Sequence, residues 1–123
     1  MTDAPLVLCA DDDEDILSLV SLRLRRAGFE VATAADGEQA VQIARERRPL
    51  LAVLDVMMPK RTGYEVLAEL RGDQALRGIK VILLSARVQE GDVARGMDAG
   101  ADAYLAKPFK AQDLVSKVQE LLA

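Results

Sequence analysis

Five carboxylates in a row, Asp11, Asp12, Asp13, Glu14 and Asp15, follow the apolar run "LVLCA", and three more reactive residues stand behind apolar runs further on. Asp55 follows "LAVL", Ser85 closes "VILLS", and Lys107 follows "AYLA". Asp13, Glu14 and Asp15 suit the start of a helix, whose N-terminal dipole favours negative charge. Asp11, Asp12 and Asp55 are left as carboxylates that repel unless something positive sits among them. An oxygen-rich set without histidine calls for a hard divalent ion, Mg²⁺ before Ca²⁺. An EF-hand is excluded, because its acidic residues alternate and these are adjacent. A hydroxyl and an ammonium beside such an ion would complete a phosphoryl site, with Lys107 neutralising one oxygen and Ser85 donating to another. The chain has neither G-x-x-x-x-G-K-[ST] nor G-x-G-x-x-G, so there is no nucleotide cradle. A carboxylate acting as phosphoryl acceptor is the chemistry that remains.

These residues converge only if the apolar runs lie side by side. Strand-like runs alternate with helix-period stretches about five times. "LVLCA" (6–10) leads into a helix with Ile16, Val20, Leu24 and Ala27 on one face, ending at Gly28. "FEVATA" (29–34) reads as a strand, and Asp36 caps a helix that runs toward Pro49. "LLAVL" (50–54) is the next strand, "MMPKRTG" a loop, and a helix runs from Gly63 to Leu70. "KVILLSA" (80–86), a short helix ending at Gly100, "AYLA" (103–106) and an amphipathic helix over 111–123 complete the series. Continuous apolar strands separated by helices predict a parallel sheet covered on both faces, a doubly wound α/β sandwich. Ligands of open α/β sheets bind at the carboxyl ends of the strands. Every strand but the second delivers a reactive residue to that edge.

Composition narrows the function further. The 123 residues are 50% apolar, enough for one globular domain over 1–123 with a real core. No apolar run approaches a membrane span and "MTDAPLVL" is not a signal peptide, so the expected location is the cytoplasm, with no membrane partner. The chain contains no histidine, which removes Ser-His and Cys-His nucleophiles and makes zinc a poor fit. Cys9, the single cysteine, lies within an apolar run and reads as a buried structural thiol. A net charge of −4 gives no basic footprint, so no direct contact with nucleic acid is expected.

"VLCADDDEDIL", "LAVLDVMMPKRTGYEVL", "VILLSA" and "GADAYLAKPF" occur in the order and spacing of a known family. The chain closely resembles the receiver domain of bacterial response regulators in two-component signalling, over essentially its whole length. The resemblance implies a flavodoxin-like three-layer sandwich, with five helices around a five-stranded parallel sheet of order 2-1-3-4-5. It implies that Asp55 is the phosphoacceptor, with Asp12, Asp55 and the backbone carbonyl of Met57 binding Mg²⁺ and Asp11 assisting through water. Ser85 would be the switch hydroxyl, Tyr104 the aromatic that turns inward after it, and Lys107 the partner of the phosphoaspartate, held by a cis Lys107–Pro108 bond.

The resemblance also implies partners. The phosphoryl donor would be a sensor histidine kinase or a phosphotransfer protein, since this chain has no histidine of its own. The output would be a downstream effector protein or domain, with a phosphorylation-dependent homodimer as one form. The "EGDVARGMDAGADAY" segment and the last helix, with Asp113 and Lys117, are the expected partner face. The domain would be a switch that promotes only its own phosphorylation and dephosphorylation, not an enzyme on an outside substrate. One rival is a receiver-like interaction module that is never phosphorylated. Another is an aspartyl-phosphate phosphohydrolase, which Met57 disfavours by standing where the second Asp of such enzymes is expected. "PKRTG" departs from the commoner "PGMDG" and would put Lys60 and Arg61 beside the acceptor, while Leu51 stands where an acidic residue is frequent. Met57 and Arg87, each two residues past a key position, lie where phosphoryl lifetime is tuned.

Overall fold

β-Branched and leucine-rich runs of four to six residues, each stopped by a polar residue or a loop, pair into one sheet in the computed structural model, which describes residues 4–86 and 90–123. The strands are β1 (Leu6–Ala10), β2 (Glu30–Ala34), β3 (Leu51–Asp55), β4 (Lys80–Ser85) and β5 (Ala103–Ala106). The helices are α1 (Glu14–Arg26), α2 (Gly37–Arg47), α3 (Gly63–Gly72), α4 (Glu90–Asp98) and α5 (Ala111–Leu121). All strand pairs are parallel, in the order β2-β1-β3-β4-β5. The expected doubly wound sheet with five helices is therefore the fold.

The pleat sends alternate residues to opposite faces, and each face has its own core. Leu8, Ala10, Leu54, Val81 and Leu83 pack with Ala40, Ala44, Val66 and Leu70 of α2 and α3. Val7, Cys9, Val53, Ile82 and Leu84 pack with Val20 and Leu24 of α1 and with Leu114 and Val118 of α5. β3 is buried along its whole length, as a central strand covered on both sides must be. Cys9 belongs to the second core, where burial pushes its thiol up to about 12 against the opposing pull of Arg25. That is the inert structural thiol its apolar setting predicts.

Local signals set most element ends. Asp13 caps α1 by accepting from the Asp15 and Ile16 N–H groups, and Asp36 caps α2 by accepting from Gln39 at 2.8 Å. Thr62 and Glu65 form a capping box at the start of α3. α1 stops two residues before Gly28, which takes φ +99, so Ala27 is an exposed cap and not part of the apolar face. β3 starts at Leu51, not Leu50, because Leu50 is 54% exposed while Asp55 still pairs with Leu84. α5 ends at Leu121, two residues short of the expected 123. Among the described residues, no helix is long and apolar enough to cross a membrane.

Candidate functional site

Register decides which strand ends meet. Ala10 sits opposite Leu54, and Leu54 opposite Leu83, so the residues one step on, Asp11 and Asp55, emerge beside each other. Asp55 pairs with Leu84, and Ser85 with Ala106, which brings Lys107 to the same edge. The Lys107 N–H donates to the Ser85 carbonyl at 2.8 Å, tying the end of β5 to the end of β4. Alternation then sorts the side chains. Asp55 and, one step beyond their strands, Asp11 and Lys107 share the parity of the α1/α5 face, whereas Ser85 and Tyr104 share the parity of the other face.

The charged group is tight and mostly dry. Lys107 Nζ lies 2.8 Å from Asp11 Oδ2 and 3.3 Å from Asp55 Oδ2. Asp55 is 4% exposed, and its Oδ1 accepts the Met57 N–H at 3.3 Å. Asp11 Oδ1 accepts the Asp13 N–H at 3.0 Å, so the residue that caps α1 also steadies the carboxylate beside it. Burial, and then the negative field of Asp11, push Asp55 up to about 6, against the pull of Lys107 and the Met57 N–H. Burial opposes the charge on Lys107, but the hydrogen bond to Asp11 and the fields of both aspartates outweigh it and raise its pKa.

One ammonium cannot balance three carboxylates. Asp11, Asp12 and Asp55 each bring a carboxylate oxygen to within 4.8 Å of the others, two of them buried and Asp12 exposed. A hard divalent cation with oxygen ligands fits that donor set, and the exposed carboxylate leaves a side open for water or a phosphoryl oxygen. The carbonyl of Asp55 is approached closely by α3, where a Cβ on Gly63 would lie 2.6 Å from it. Glycine is required there, and with the Gly63 N–H donating to the Val56 carbonyl at 3.0 Å it draws the start of α3 in under Asp55.

The family model described as response regulator receiver domain matches residues 7–119. The chain belongs to that family. It is 45% identical over 119 residues to the transcriptional regulatory protein PrrA of Mycobacterium tuberculosis, covering 97% of this chain and 50% of that protein. It is 39% identical over 116 residues to the alkaline phosphatase synthesis transcriptional regulatory protein PhoP of Bacillus subtilis, covering 94% and 48%. The solved chemotaxis response regulator CheY4 of Vibrio cholerae superposes with a TM-score of 0.90 at 32% identity, covering 96% of this chain and 98% of that one. This receiver thus spans about half the length of the curated relatives it matches. Phosphorylation-dependent two-component signalling is the function class to which it belongs.

Lys60 and Arg61, expected beside Asp55, turn to other carboxylates. Lys60 Nζ is 3.8 Å from Asp36 Oδ2, and Arg61 pairs with Glu69, which also faces Arg45 at 3.6 Å. The cations of "PKRTG" are therefore spoken for by carboxylates of α3 and of the α2 cap. Lys117 faces Glu120 of its own helix at 3.4 Å. Arg87 lies outside the described residues. The Lys107–Pro108 bond is cis.

Two contacts escaped the sequence. Arg71 donates to the carbonyls of Gly100, Arg77 and Ile79 at 2.7–3.0 Å and pairs with Asp102 at 3.1 Å. The Arg95 guanidinium lies over the Tyr64 ring, 4.6 Å from its centroid. No spacing in one dimension announces either, because each joins elements about thirty residues apart.

Proposed function

We propose that Asp55 accepts a phosphoryl group from a phosphohistidine of a sensor kinase or phosphotransfer protein. The observation that carries this is the buried Asp55 carboxylate beside Asp11, 3.3 Å from the Lys107 ammonium, which can follow its charge onto a phosphoryl oxygen. A carboxylate oxygen of Asp55 attacks phosphorus, an O–P bond forms, the P–N bond breaks, and the imidazole leaves with the electron pair. Lys107 balances negative charge on the equatorial oxygens, and its bond to Asp11 holds it aimed there. Asp12, Asp55 and the Met57 carbonyl, with Asp11 assisting, would hold Mg²⁺, which would supply further charge neutralisation. Water attack on phosphorus later breaks the same bond, releases inorganic phosphate and restores the carboxylate, so the signal has a lifetime.

Ser85 and Tyr104 serve in this proposal as the switch. They share one face and line a cavity of about 310 Å³ together with Val56, Tyr64 and Arg95. A phosphoryl group that draws the Ser85 hydroxyl toward it leaves room for the Tyr104 ring to turn inward, shifting an equilibrium between two packings. The domain is a single receiver in the cytoplasm, reported on by an effector protein or domain or by a second copy. Two relatives are named as transcriptional regulators, and gene control is the output class we favour.

Intact-mass measurement after incubation with acetyl phosphate or phosphoramidate and Mg²⁺ tests this. The wild type should gain one phosphoryl group and Asp55→Ala none. An unmodified wild type would instead support a phosphorylation-independent interaction module.

A further inference from the structure

We propose that the Arg95–Tyr64 stack is a latch that holds α4 in the resting packing and sets how readily the domain switches, an inference that rests on the switch reading above. The Tyr104 ring lies directly against α4, where a Cβ on Gly96 would come within 2.8 Å of its Cδ2 and 3.2 Å of Leu83. Glycine lets helix and ring touch, so the ring cannot turn into the cavity beside Ser85 without opening a gap under α4. Packed interiors close such gaps by moving the neighbouring element. Movement of α4 is therefore coupled to the turn of Tyr104.

Among the described residues, two polar contacts of different character add to that packing in holding α4. At its C-terminal end the Gly100 carbonyl accepts two N–H groups of Arg71, at 2.8 and 3.0 Å, and Arg71 is fixed in turn by the Arg77 and Ile79 carbonyls and by Asp102. That end is a pivot. Arg95 sits one residue before Gly96 and reaches across the cavity to stack on Tyr64, the second residue of α3. Gly63, the residue before Tyr64, is the glycine packed under the Asp55 carbonyl. The latch therefore runs from the helix that must move to the helix start seated against the acceptor, and it walls the space Tyr104 would enter.

An exposed guanidinium over a half-buried ring is a weak contact, strong enough to bias an equilibrium and weak enough to release. If it exists only in the resting packing, its loss raises the active fraction, and a ligand of the active state binds about two- to five-fold more tightly. Beryllium fluoride with Mg²⁺, a phosphoryl mimic, is the probe, titrated by change in Tyr fluorescence or by isothermal calorimetry. Arg95→Ala and Tyr64→Leu should each tighten binding by that factor, the double variant should tighten it no further, and Tyr64→Phe, which keeps the ring face, should bind as the wild type does. Melting curves of each apo variant establish that it is folded. A wild type that binds while Arg95→Ala binds identically, or single effects that multiply in the double variant, would overturn the latch alone. A wild type that does not bind the mimic at all would overturn the switch reading and the latch with it.

Discussion

Asp55→Asn should make the metal-free domain more stable near pH 8. The carboxylate is 4% exposed, shares its surroundings with Asp11, and is pushed from an ordinary 3.8 to about 6. A folded-state pKa above the unfolded value means the folded protein holds the proton more tightly, so the associated stability is present at low pH and lost as pH rises through 6. At about 1.36 kcal/mol per unit, the gap of roughly two units costs about 3 kcal/mol once Asp55 is ionised in both states. Asparagine keeps the shape and leaves an oxygen for the Met57 N–H, and Lys107 retains Asp11 at 2.8 Å. The pull of Lys107 is already included in that gap, so a gain of about 3 kcal/mol, roughly 9–15 °C in Tm, is expected for a domain of this size. Thermal melts of wild type and variant in EDTA at pH 8, 6.5 and 5 provide the assay. The advantage should shrink by about half at pH 5, where folded Asp55 is already protonated. A variant less stable than the wild type at pH 8, or an advantage independent of pH, would refute the electrostatic account of the site.

Two further outcomes follow from the same geometry. Mg²⁺ at tenfold excess over its dissociation constant should stabilise the wild type by about 1.4 kcal/mol. Asp12→Asn should gain a few tenths of a kcal/mol without metal, through relief of repulsion, and lose most of that Mg²⁺ effect; equal Mg²⁺ shifts in both proteins would count against a metal role for Asp12. Arg71→Ala should cost about 2–4 kcal/mol in urea unfolding, because three carbonyls and Asp102 lose their donor, and Arg71→Lys should recover only part, lacking the planar fork. A loss below about 0.5 kcal/mol would show that water replaces the guanidinium.

Much of this receiver could be read in one dimension. Hydrophobic period separates the fully buried β3 from the amphipathic helices, and Asp13, Asp36 and Thr62 mark helix starts by short-range bonds that need only three or four residues. Parallel strands have one carboxyl edge, so the order of chemistry-bearing residues already places Asp11, Asp12, Asp55, Ser85 and Lys107 along it. That Lys60 and Arg61 turn to Asp36 and Glu69, and not to Asp55, could not be seen, since it depends on how α2 and α3 pack.

Distances belong to the tertiary structure. Register brings Lys107 to within 3.3 Å of Asp55 across fifty-two positions of sequence, and only then does burial lift Asp55 to about 6. The parity that separates the charged trio from Ser85 and Tyr104 follows from the pleat, but the Arg95–Tyr64 stack arises where α3 meets α4 and the Arg71 anchor where α3 meets loops, with no period to betray them. Local propensity and alternation act over a few residues and are written in the order of the chain. Electrostatic coupling and side-chain stacking act through space, and they exist only once folding has closed the space.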